Sequence, residues 1–130
     1  MIDELWLPPA VHMIVGSAVL VTTLASLIVA FLHKLRGREL RRWVHALFIA
    51  TQVVIAIQLL IGIKLLDQGL GPMQLYVHYL GGTGVLFFYL LLYWLPAAHR
   101  RSGWSATVLT GLAFAFALMT YTIGEMYVPG

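Results

Sequence analysis

The stretch HMIVGSAVLVTTLASLIVAFLHKLRGRELRR, His12–Arg42, contains two kinds of sequence that meet abruptly. No charged residue occurs from Met13 to Leu32, and then Lys34, Arg36, Arg38, Arg41 and Arg42 follow in quick succession. An apolar run of about 20 residues is long enough to cross a hydrocarbon core about 30 Å thick. In lipid the backbone must satisfy its own hydrogen bonds, which makes the run a helix. The basic segment after it reads as a connection held on one side of the membrane.

The same pattern extends along the chain. Of 130 residues, 61% are hydrophobic and 10% charged, against about 25% charged in a soluble domain. Apolar spans are expected at residues 7–33, 43–65, 74–96 and 104–127, joined by short connections. The expected fold is therefore all-α: an integral membrane up-down four-helix bundle forming a single domain over residues 1–130. The opening MIDELWLPP has no basic segment, so the first span reads as a retained helix and not a signal peptide. The chain has no cysteine, which excludes disulfides, thiolate chemistry and thioether-linked haem.

Seven of the eight Lys and Arg residues fall in the first and third connections, and only Lys64 lies elsewhere. Asp3, Glu4, Asp67 and Glu125 fall at the opposite ends of the spans. The positive-inside rule then places both termini outside a bacterial cytoplasmic membrane. Membrane topology accounts for the basic cluster, so no nucleic-acid partner is expected; attraction to anionic lipid is a secondary effect.

The first and third spans resemble each other at a shift of 66 residues. VHMIVG, Val11–Gly16, matches VHYLGG, Val77–Gly82, and the register continues through His33 with His99 and Gly37 with Gly103. The match fades in the second and fourth spans. It points to a duplicated helical hairpin with both copies starting on the same side. His12 and His78 then lie at similar depth near the outer face, on helices that are diagonal in an up-down bundle.

Two facing imidazoles suit a six-coordinate iron porphyrin. Gly16 and Gly82, one turn from each histidine on the same helix face, remove side chains that would collide with the ring. Gly81, Gly84, Ser17 and Ala18 widen the same region in this reading. Lys64, with Gln74, Tyr76 and Tyr127, is a candidate partner for the porphyrin propionates. Plainer readings stand beside these. The glycines permit close helix packing, and Lys64 snorkels or pairs with Asp67 or Glu125. His33 and His99 read as surface or headgroup residues, and His45 has Ile49 where a glycine would be needed and no histidine at its depth on the fourth span, so a second haem is not expected. Gln52 and Gln58 read as interhelical hydrogen-bonding groups, and Glu125 as an interfacial acid with a conceivable role in proton relay.

VHMIVG and VHYLGG in a four-span chain resemble the small four-helix membrane b-type cytochromes, including the half-bundles of haem A synthases. That resemblance implies a porphyrin held by diagonal histidines, a role carried here to His12 and His78. The expected function is an electron-transfer subunit with one haem b near the outer face, linking a quinol or periplasmic donor to a larger redox complex. The bilayer, other membrane subunits or a second copy, and a quinone are the expected partners. The alternative is a haem-free accessory or assembly subunit packing through glycine-rich faces.

Overall fold

The structure, a computed structural model, describes residues 4–71 and 75–126. It has helices α1 (Pro9–Leu35), α2 (Arg42–Asp67), α3 (Leu75–Trp94), α4 (Ala97–Arg101) and α5 (Gly103–Met126). The four long helices are each long and apolar enough to cross a membrane. They form the expected up-down bundle of a multi-pass membrane protein. Large apolar side chains such as Ile14, Val21, Leu60, Leu80 and Val108 point outward, where a bilayer supplies the apolar surroundings.

Two features differ in detail from the expected spans. Residues 74 and 127, expected ends of two spans, lie outside the described residues. The third connection contains the short helix α4, which the apolar pattern does not announce. Pro96 has no N–H to continue the ladder of α3, and its extended ψ of 148° restarts the chain as the N-cap of α4. His99, Arg100 and Arg101 occupy the last turn of α4, where cations oppose the negative end of the helix dipole.

α1 and α2 end in the same way. Gly37 (φ 59°) and Gly69 (φ 75°) adopt the left-handed conformation that glycine reaches without strain. After α1, Gly37 N–H donates to Lys34 O at 3.1 Å and Arg38 N–H to His33 O at 2.9 Å. After α2, Gly69 N–H donates to Leu66 O and Leu70 N–H to Leu65 O, both at 2.9 Å. These paired bonds satisfy carbonyls that the helices leave open and turn the chain sharply.

The core faces explain the packing. On α1 the buried residues are Gly16, Val19, Thr23, Ser26 and Ala30. On α5 they include Gly103, Ala106, Thr110, Ala113 and Ala117. Both sets recur at alternating steps of three and four, the spacing of a straight helix–helix seam. Both consist mainly of small residues, which let backbones approach in membranes. α1 and α5 accordingly share the most extensive contact in the bundle, and α2 and α3 the least extensive among adjacent long helices. The core faces of α2 and α3 carry Phe48, Ile55, Tyr89 and Leu92, whose bulk holds those two helices apart. At mid-bundle, the Ser26 and Thr51 hydroxyls hydrogen-bond each other at 3.1 Å and join α1 to α2.

A side-chain clamp closes the other end. Leu7 N–H donates to Gln68 Oε1 at 2.9 Å, and Gln68 Nε2 donates to Leu7 O at 3.0 Å. One amide thus ties the entry of α1 to the exit of α2. Each such bond contributes about 0.5–1.5 kcal/mol net. Gln68→Ala is therefore expected to cost about 1–2 kcal/mol in denaturant unfolding of the micelle-bound protein. An unchanged unfolding midpoint would show that the clamp carries no stability.

Candidate functional site

His12 on α1 and His78 on α3 face each other across the bundle axis. Their ring centroids lie 5.9 Å apart with the planes tilted by 53°. Metal–imidazole nitrogen bonds run about 2 Å, so two imidazoles sharing one metal have centroids about 6 Å apart. The centroid spacing of this pair falls at that figure, while the Cε1 edge of each ring lies over a glycine of α2 or α5. The described residues contain no group of three or more His, Asp or Glu able to hold a metal ion.

Around the histidines lies a cavity of about 600 Å³, within the usual range for cofactor sites of about 300–1,000 Å³. Gly16 and Gly82 both line it, as the spacing predicts. A β-carbon at Gly16 would meet Gln58 Nε2 at 3.1 Å and Tyr121 Cδ2 at 3.5 Å; one at Gly82 would meet Leu59 Cδ2 at 3.4 Å. The room beside Gly16 is thus bounded by side chains of α2 and α5.

Two further glycines belong to the site and were not singled out from the sequence. A β-carbon at Gly62 of α2 would lie 3.2 Å from His12 Cε1, and one at Gly124 of α5 would lie 3.5 Å from His78 Cε1. Each imidazole rests on a bare stretch of the second helix of its own hairpin. These glycines stand 62 residues apart, not 66; at that shift Gln58 falls opposite Thr120 and Ile55 opposite Ala117, which are different residues. All six of these residues line the cavity.

The polar inventory is small. Gln58 Nε2 lies 3.2 Å from His12 Nε2 and donates to His12 O at 3.0 Å. Gln58, read as an interhelical group, is thus a direct neighbour of the site. Ser17 Oγ and Tyr121 Oη hydrogen-bond at 3.2 Å beside the cavity. His12 Nδ1, His78 Nδ1 and Thr120 Oγ1 are buried without a hydrogen-bond partner among the described residues. Buried polar atoms are nearly always satisfied, by protein groups or by ordered water.

Other expectations land elsewhere. Gly81 and Gly84 do not widen the cavity; they serve the α3–α5 contact. A β-carbon at Gly81 would overlap the Thr120 hydroxyl, and one at Gly84 would lie 2.6 Å from Phe116 Cδ1. Lys64 forms an ion pair with Asp67 at 3.0 Å, one of the plainer readings, and does not line the cavity. Gln74 and Tyr127 lie outside the described residues, and Tyr76 is 90% exposed. Glu125 is exposed at the cavity rim. His33 Nδ1 bonds Val29 O at 2.8 Å, and His99 is exposed. Gly37 caps α1, whereas Gly103 begins α5 beneath Lys34, with a would-be β-carbon 2.9 Å from Lys34 Cβ. That matched pair does unrelated work. Compared with known proteins, the chain matches no family model, no curated protein and no solved structure.

Proposed function

We propose that this chain is a b-type cytochrome subunit of a bacterial cytoplasmic membrane, holding one haem b between His12 and His78 near the outer face. One observation carries the reading: the two imidazoles face each other at ligand spacing, each seated on a glycine of its own hairpin. The charge distribution supports the orientation, with both termini outside. A bound haem supplies reversible one-electron chemistry.

The chain's own residues hold, orient and insulate. His12 and His78 would hold the haem, and Gly62 and Gly124 let both rings approach the axis. Gly16 and Gly82 keep a side chain out of the cavity one turn further in. Val19, Ile55, Val85 and Ala117 form its apolar floor and exclude water, a setting that tunes redox potential. Gln58 Nε2 contacts His12 Nε2 at 3.2 Å, a contact that haem binding through that nitrogen would replace. Held by two histidines, a haem would supply electron transfer in preference to oxygen chemistry. A quinol or a soluble donor, and a larger complex or a second copy, supply the exchange partners.

The test is stoichiometry. Protein purified from haem-sufficient cells should carry one haem per chain in a pyridine haemochrome assay, and the double variant His12→Ala/His78→Ala none. Equal haem in both preparations would remove the histidines from the account. A wild-type protein free of haem would favour the accessory-subunit alternative.

A further inference from the structure

A second cavity, of about 300 Å³, lies at the opposite, basic end of the bundle. Leu40, His45, Tyr93, Ala97, Arg100 and Arg101 line it. It sits where α2 and α3 meet, the least extensive contact between adjacent long helices. His45 Nδ1 and Tyr93 Oη hydrogen-bond across that seam at 3.1 Å. Among the described residues, Lys64–Asp67 is the one ion pair, so Arg100 and Arg101 line the cavity without a carboxylate partner. Two uncompensated guanidinium groups, an imidazole and a phenol around one recess favour an anion with several acceptor oxygens.

We infer that this recess binds the phosphate headgroup of an anionic phospholipid from the basic-side leaflet. Three observations select a lipid as the source. The recess lies at the end of apolar helices that cross a bilayer, where headgroups stand. Beside it the outward faces of α2 and α3 carry Ile49, Val53 and Leu90, an apolar surface for acyl chains. Lys34, Arg36, Arg38, Arg41 and Arg42 share that end and concentrate anionic lipid around it. Arg100 and Arg101 bind the phosphate oxygens, and Tyr93 adds a hydroxyl held in place by His45. The inference is independent of the haem reading, since none of these residues touches the first cavity.

The experiment uses the full chain in detergent, titrated with phosphatidylglycerol or phosphatidylcholine and read by native mass spectrometry. Wild-type protein should retain one phosphatidylglycerol and no phosphatidylcholine. Arg100→Gln/Arg101→Gln should weaken retention about thirtyfold, the effect of losing two cations close to a lipid phosphate. Arg36→Gln/Arg38→Gln, with the same charge change at the same end, should weaken it less than about threefold. Tyr93→Phe, which retains the ring and its packing, should weaken it several-fold. Equal losses in the two arginine pairs would show diffuse attraction and overturn the site. Displacement of phosphatidylglycerol by equimolar inorganic phosphate would overturn the lipid assignment, as would equal retention of phosphatidylcholine.

Discussion

Gly62→Val and Gly124→Val are each expected to empty the proposed haem site although both histidines remain. In the structure a β-carbon at Gly62 already comes within 3.2 Å of His12 Cε1, and one at Gly124 within 3.5 Å of His78 Cε1. Valine adds two γ-carbons whose χ1 is nearly fixed in a helix. They project about 1.5 Å beyond the β-carbon, a C–C bond length comparable to Cα–C, so the imidazole must move. A displacement of that size breaks a metal bond whose tolerance is about 0.2 Å. Haem content should therefore fall at least about tenfold. Gly62→Ala should be milder, and Gly124→Ala milder still, because 3.5 Å is an ordinary contact. Absorbance at the haem Soret band per mole of protein measures the series. Full haem content in both valine variants would mean that the rings are not seated on these glycines.

Gly81→Val and Gly82→Val separate packing from cofactor binding. Gly81 lies against α5, and any β-carbon there overlaps the Thr120 hydroxyl. Thr120 is short and part of the opposing helix, so relief requires a backbone shift. Overpacking of this kind costs about 1–3 kcal/mol. Gly82, one residue on, faces the cavity, and its β-carbon meets Leu59 Cδ2 at 3.4 Å. Gly81→Val should lower the unfolding midpoint and leave the spectrum of the surviving folded protein unchanged. Gly82→Val should keep nearly normal stability and lose haem. The opposite pattern would assign packing to Gly82 and the site to Gly81.

The sequence shows the bundle clearly because membrane insertion depends on length, apolarity and the placement of basic residues. His12–Arg42 alone displays all three. The diagonal meeting of His12 and His78 follows from the same facts, since helix order and direction set depth. Partners on other helices are harder to see. Gly62 and Gly124 look like any membrane glycine until the structure brings them against His12 and His78. Gly81 next to Gly82 shows the limit of reading by type: one faces α5 and the other the cavity, a choice fixed by helix rotation. Lys64 depended on side-chain reach, and Asp67, three residues away on the same helix, captures it. Helix α4 was hidden because five residues are too few for periodicity to register.

The most direct measurement is the dithionite-reduced minus oxidised visible spectrum of the purified chain, taken beside His12→Ala and His78→Ala. Bis-histidine ligation predicts a sharp low-spin b-type α-band in the wild-type protein and its loss in each single variant. An α-band that survives either substitution, or a wild-type protein with no haem spectrum after expression with ample haem, would contradict the shared site.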